Sequence, residues 1–145
     1  MNASEILSDL VRIAGIGQLV LVVFSLAIPR MLGWKEETAK LRPLTRQVFW
    51  TYATYIWAIN LFFGLISTLA PAWLLNRSEL AGAVASFIAL YWLGRLVIQF
   101  VVFDRNDAGR GPFFRLAEIA LVSLFIFLAL VYSLAALFDV GELAT

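Results

Sequence analysis

A single arginine, Arg95, lies inside a long apolar segment that extends from residue 81 to residue 104. Gln99 follows it about one helical turn later. A charge in the middle of a membrane-spanning helix costs at least ~2.5 kcal/mol on insertion scales, so it requires a partner. The planar guanidinium group can donate paired hydrogen bonds to a carboxylate or a phosphate. Arg95 therefore indicates a buried ion pair, a site for an anionic head group, or a side chain that snorkels to the interface.

Glu118, in the last apolar segment, is the predicted counter-charge of Arg95. At the rise of an α-helix, Arg95 lies ~12 Å and Glu118 ~7 Å inside the same membrane boundary. The long arginine stem spans the difference. Polar residues of other segments are predicted to extend this pair. Gln47, Thr51 and Tyr55 recur every four residues, so they share one face of their helix. The predicted ligand-binding cluster comprises Gln18, Gln47, Thr51, Tyr55, Arg95, Gln99 and Glu118.

Other polar and small residues are predicted to pack helices together. Asn60 lies about 180° around its helix from Thr51, so it belongs to another face and is expected to contact a neighbouring helix. Gly15 is small enough to allow close helix approach. Gly82 and Ser86, four residues apart, predict a close contact either within the chain or in a dimer.

The residue types that are missing exclude several kinds of chemistry. The sequence contains no cysteine and no histidine. Disulfides, thiolate nucleophiles, Cys-based zinc or iron–sulfur sites, His-ligated haem and a histidine base are therefore excluded. Phosphate-binding, dinucleotide-binding and hydrolase motifs are also missing. We expect no catalytic residue, no metal and no cofactor.

The elements that carry these residues are predicted to be membrane-spanning helices. Hydrophobic residues make up 62% of the 145 residues and charged residues only 14%, whereas soluble domains are about 25% charged. Pro43 and Pro112 are suited to first helical positions, and Ser78 to an N-cap. We predict an all-α integral membrane protein, a four-transmembrane-helix bundle in one domain. The predicted spans cover about 5–29, 43–69, 80–103 and 113–137.

The distribution of basic residues predicts the orientation of the bundle. The segments 30–46 and 105–115 hold eight lysines and arginines, whereas the opposite side holds only Arg12 and Arg77. Basic loops remain in the cytoplasm. Loops 30–42 and 104–112 are therefore expected to be cytoplasmic, with both termini on the outer side of a bacterial inner membrane or a plasma membrane. The acidic start of the chain argues against a cleaved signal peptide.

The favoured function is that of a small non-enzymatic membrane protein. It would bind a lipid or a lipophilic anionic ligand, or serve as a subunit of a larger membrane complex. Its partners would be membrane lipids and either a second copy or other membrane subunits. Nucleic acid is not expected, because the net charge is only +1 and the basic residues are spread over short loops.

Two alternatives remain from the sequence. One is a membrane enzyme that acts on a lipophilic substrate, with Arg95 as anion clamp and Tyr55 or Tyr91 as proton donor. The topology and the stretch from Tyr91 to Gln99 are similar to those of the eicosanoid and glutathione membrane enzymes, although the arginine- and asparagine-rich pattern of their second helix is not matched. The other alternative is an oligomeric transporter or channel.

Overall fold

Helices account for nearly all of the regular structure. This computed structural model describes residues 1–104, 106 and 109–141, and that part of the chain contains no β-strand. The helices are α1 (Ala3–Ser25), α2 (Ile28–Met31), α3 (Trp34–Ala39), α4 (Pro43–Leu69), α5 (Glu79–Val101) and α6 (Pro112–Val140). A 3₁₀ turn (Pro71–Leu74) connects α4 to α5.

Four helical segments are long and apolar enough to cross a membrane. The first is Ala3–Met31, which contains both α1 and α2, and the other three are α4, α5 and α6. This confirms the prediction of an all-helical chain with four potential spans. Large apolar side chains remain exposed on the outward faces, as at Phe24 (71%), Leu69 (77%) and Val101 (76%). Such faces are suited to the hydrocarbon of a bilayer, which does not penalise their exposure.

Local sequence signals explain where the long helices begin. Pro43 and Pro112 occupy the first positions of α4 and α6, where the missing proline N–H costs no helical hydrogen bond. The hydroxyl of Ser78 accepts a hydrogen bond from the backbone N–H of Ala81 at 3.1 Å. The predicted N-cap of the third span is therefore confirmed.

The segment 30–42 differs from the charged loop that the sequence predicts, because α2 ends and α3 lies within it. Gly33, at φ +62°, makes the turn between the two short helices, a conformation that glycine adopts without strain. The Trp34 ring then packs edge-on against Phe49 with centroids 5.1 Å apart. Trp50 Nε1 also donates to Thr38 Oγ1 at 3.3 Å. These contacts hold α3 against the first turns of α4.

Helices α1 and α4 approach each other closely at two glycines. A Cβ atom on Gly15 would lie 2.7 Å from the backbone nitrogen of Thr68. A Cβ atom on Gly64 would lie 2.8 Å from Leu19 Cδ2. At Gly15 the obstacle is backbone, so only hydrogen fits without displacing α4, and the prediction for Gly15 is confirmed. At Gly64 the obstacle is the Leu19 side chain, which would have to move.

Helices α5 and α6 form the second closely packed pair. Trp92 stacks on Phe125 with ring centroids 5.4 Å apart. At the other end of the pair, a Cβ atom on Gly82 would lie 3.4 Å from Asp139 Cβ. Gly82 therefore packs within the chain, which is the intramolecular alternative of the two that the sequence left open.

Contacts between α1 and α6 join the two pairs, whereas α4 and α5 share much less contact. Phe63 of α4 supplies ring contacts to α5, with centroids 6.1 Å from Phe87 and 5.5 Å from Tyr91. Around the bundle the helices thus follow the order α4, α1, α6, α5. We call the end where α1 finishes and α4 begins the basic end, and the opposite end the terminal end.

The long helices do not finish at the same level. Trp57 Nε1 of α4 donates to the backbone oxygen of Val22 in α1 at 3.4 Å, and α1 finishes at Ser25. Ser25 is three residues after Val22, and α4 runs in the opposite direction, so the end of α1 lies level with Thr54, three residues before Trp57. The residues of α4 that precede Thr54 therefore extend about 15 Å beyond α1 toward the basic end. In that region the bundle lacks its α1 wall, and α3 packs beside α4 instead.

Candidate functional site

Arg95 lies on α5, six residues or ~9 Å before the end of that helix. Its guanidinium carbon is 4.8 Å from the ring centroid of Phe103 and 5.2 Å from that of Phe125. The side chain as a whole is half-buried. Aromatic faces attract a cation, but they leave the N–H groups at its edge without acceptors. Arg95 Nη1 is in fact buried without a hydrogen-bond partner among the described residues.

The predicted ion pair between Arg95 and Glu118 is not formed, since Arg95 has no ion pair with any carboxylate in the described part of the chain. The residue of α6 beside Arg95 is Phe125. Glu118 lies two helical turns, about 10 Å, from Phe125 toward the basic end. The prediction was wrong because it assumed that α5 and α6 meet with their ends level.

Tyr91 and Asn60 extend the polar environment of Arg95 toward α4. Tyr91 precedes Arg95 by one turn, and its ring packs against Phe63 of α4 with centroids 5.5 Å apart. Asn60 precedes Phe63 by about one turn on the same side of α4, so it faces α5. Its Oδ1 atom is buried and has no hydrogen-bond partner in the described ranges.

Trp92 completes this group, since its indole stacks on the same Phe125 ring that lies under Arg95. Its Nε1 atom is a third buried polar atom that finds no partner in the described structure. We call Asn60, Tyr91, Trp92 and Arg95 the Arg95 site. Buried polar atoms are normally satisfied. Three of the six that lack a partner among the described residues belong to this group, so the Arg95 site is the candidate site of this protein.

Gln18 belongs to a different polar network. Its Nε2 atom donates to the hydroxyl of Tyr132, which also shares a hydrogen bond with the hydroxyl of Ser67 at 2.5 Å. All three side chains are 0% exposed. Tyr132 lies seven residues beyond Phe125, about 10 Å toward the terminal end. This network connects α1, α4 and α6, and it is separate from the Arg95 site.

The predicted residues of α4 are exposed. Thr51 Oγ1 donates to the backbone oxygen of Gln47 on its own helix at 2.8 Å. Tyr55 is 62% exposed and lines a shallow depression of about 440 Å³ with Phe62 and Phe87 among its neighbours. Neither Gln47, Thr51 nor Tyr55 hydrogen-bonds to Arg95. Gln99 is half-buried on α5, one turn nearer the basic end.

Asp139 is a buried polar residue that the sequence did not single out. Its Oδ1 atom accepts a hydrogen bond from the backbone N–H of Arg77 at 2.8 Å. The guanidinium carbon of Arg77 lies 4.7 Å from the Phe138 ring centroid. These contacts attach the connection between α4 and α5 to the end of α6, so we interpret them as structural. A near-terminal aspartate has no sequence pattern that marks it as a partner for a distant backbone amide.

No group of three or more acidic, cysteine or histidine residues within the described ranges could hold a metal ion. No family model, no curated protein and no solved structure matches this sequence.

Proposed function

We propose that this protein binds an anionic lipid, or another lipophilic anion, at Arg95. The observation that carries the proposal is the buried Nη1 atom of Arg95, which has no hydrogen-bond partner among the described residues. We further propose that the basic end faces the cytoplasm of a bacterial inner membrane or a plasma membrane, with both termini outside. The ligand would then enter from the cytoplasmic half.

The charge of Arg95 favours an anion. Its neighbours Phe103 and Phe125 attract the guanidinium cation with their ring faces, but they do not neutralise it. An uncompensated charge at this depth is strongly unfavourable. A phosphate or carboxylate provides both the opposite charge and the acceptors that the planar edge requires.

The surroundings of Arg95 favour a lipophilic molecule over a water-soluble one. On α5 the residues that flank Arg95 are exposed and apolar, as at Leu93 (45%) and Val97 (59%). Within a bilayer these side chains contact lipid chains. An amphiphile can therefore place its chains along α5 and its head group beside Arg95.

Native mass spectrometry of the protein purified in mild detergent tests this proposal. The wild type should retain anionic lipid, Arg95→Met should lose it, and Arg95→Lys should bind it about tenfold more weakly because lysine lacks the paired donors. Arg77→Met is the matched control, because Arg77 also lies over an aromatic ring but at the terminal end. If the retained lipid is unchanged in both Arg95 variants, the site is structural and the proposal is wrong.

A second candidate function is that of a subunit in a homo-oligomer or a larger membrane complex. The exposed polar residues of α4 favour it, because Gln47 and Tyr55 present an amide and a phenol on an outward face. A neighbouring helix could satisfy both groups. The same mass spectra test this candidate: a Gln47→Leu and Tyr55→Phe double variant should reduce any oligomer that the wild type forms, and a wild type that is only monomeric would exclude a homo-oligomer.

A further inference from the structure

We infer that the ligand's anionic head group also carries a hydroxyl or amine hydrogen-bond donor, which the Asn60 Oδ1 atom accepts. This inference rests on the proposed function and specifies the class of ligand. The Arg95 site offers two unsatisfied atoms of opposite kind, the donor Nη1 of Arg95 and the acceptor Oδ1 of Asn60. A ligand that matched only the arginine would leave the second atom unsatisfied.

The two atoms lie within reach of one head group. Phe63 of α4 packs against Tyr91 of α5 with ring centroids 5.5 Å apart. Asn60 precedes Phe63 by about one turn, and Arg95 follows Tyr91 by about one turn. Since α4 and α5 run in opposite directions, Asn60 and Arg95 lie at nearly the same level. Axes of packed helices are roughly 8–10 Å apart, a gap that a phosphate joined to a short polyol can span between two side chains. One such group can therefore accept from Arg95 at its phosphate and donate to Asn60 at its hydroxyl.

The position of Asn60 makes this second contact selective. Asn60 lies on α4, whereas Arg95 lies on α5, and these two helices share little contact. A buried acceptor that stays unsatisfied costs more than a hydrogen bond usually gains. An amphiphile without a donor is therefore disfavoured, even when its charge and its acyl chains are the same.

Two lipids of equal charge test the effect of the head-group hydrogen-bond donor by itself. Phosphatidylglycerol and phosphatidylmethanol carry the same phosphodiester charge, and they can be obtained with identical acyl chains, but only the former has head-group hydroxyls. Each is mixed with the purified protein, and bound lipid is counted by native mass spectrometry, with phosphatidylcholine as the uncharged reference. We expect wild type to bind phosphatidylglycerol about tenfold more tightly than phosphatidylmethanol, since the latter leaves Asn60 unsatisfied.

Variants of the protein test whether the preference for phosphatidylglycerol depends on Asn60. Asn60→Leu should bind both anionic lipids equally, at the level of phosphatidylmethanol on wild type. Thr54→Val, which removes an exposed hydroxyl from the same helix, should keep the preference. Equal binding of the two lipids by wild type, or a preference that persists in Asn60→Leu, would overturn the inference while leaving the proposed function intact.

Two further results address the ligand's source and the proposed function. If neither anionic lipid binds better than phosphatidylcholine to wild type, the proposed function fails and the inference fails with it. Glycerol phosphate added to the buffer should not displace bound phosphatidylglycerol, because Arg95 is approached along lipid-exposed side chains. Displacement by glycerol phosphate would overturn the lipid assignment and identify a soluble polyol phosphate as the ligand.

Discussion

At the scale of single residues, the Gln18–Ser67–Tyr132 network and the Arg95 site differ in how their polar atoms are connected. Tyr132 bonds to both Gln18 and Ser67, although Gln18 Oε1 is buried without a partner in the described structure. Arg95 has a buried N–H without a partner there, and its neighbours are aromatic rings. Hydrogen bonds shared between helices fix helix positions, whereas a charged donor in an apolar helix is a candidate for ligand binding.

Tyr132→Phe should destabilise the bundle by about 1 kcal/mol, in the range measured for hydrogen bonds between membrane helices. The change removes only the hydroxyl that Gln18 and Ser67 share. Thermal or denaturant unfolding in detergent measures the effect. Tyr55→Phe is the control, since its hydroxyl is on an exposed side chain. A loss of stability in Tyr55→Phe equal to that in Tyr132→Phe would contradict the structural role of this network.

Arg95→Met and Glu118→Gln should have additive effects on stability. Arg95 contacts Phe103 and Phe125, and Glu118 precedes Phe125 by about two turns of α6, toward the basic end. A double-mutant cycle on the unfolding free energy measures the coupling. A coupling energy above ~0.5 kcal/mol would show that the two charges interact after all.

At the scale of helices, the close approach of α1 and α4 depends on glycine. Gly15→Ala should destabilise the protein by about 1–3 kcal/mol, because the added methyl would overlap the backbone of α4 near Thr68. Gly94→Ala is a matched control, since a Cβ atom there meets nothing within 4 Å. Unfolding curves of the two variants make the comparison. Equal stability of Gly15→Ala and Gly94→Ala would contradict the close contact.

The sequence predicts the helices better than it predicts the contacts between them. Composition, apolar length and the positions of Pro43, Ser78 and Pro112 indicate four spans and most of their starts. The level at which two helices meet depends on interhelical packing, which a single sequence does not reveal. For that reason the pairing of Glu118 with Arg95 was wrong, whereas the close helix approach at Gly15 was anticipated from the residue type alone.

The same limit explains which parts of the site were missed. Arg95 is conspicuous because it is a charge in an apolar run. Phe103, Phe125 and Trp92 resemble any other aromatic residues of a membrane helix, so no local pattern identifies them as its neighbours. Tyr132 and Ser67 were missed for the same reason, although Gln18 was recognised as a polar residue near the middle of its span.

At the scale of the whole molecule, the orientation in the membrane remains a prediction. The eight-to-two distribution of lysine and arginine predicts that both termini lie outside. Reporter proteins fused at Met1 and at Thr145, one active only in the cytoplasm and one only outside it, measure each position. Cytoplasmic activity at either terminus would contradict the predicted orientation. Fusion at the 30–42 segment is the internal control, where cytoplasmic activity is expected.

The pairing of α1 with α4 and of α5 with α6 has a consequence for biosynthesis. Each pair consists of successive long helices, so the first half of the bundle can assemble in the membrane while the second half is still on the ribosome. The two halves then meet where the Tyr132 hydroxyl of α6 reaches Gln18 and Ser67. We therefore expect that two separately translated fragments, divided in the connection between α4 and α5, can find each other in the bilayer and restore the complete bundle.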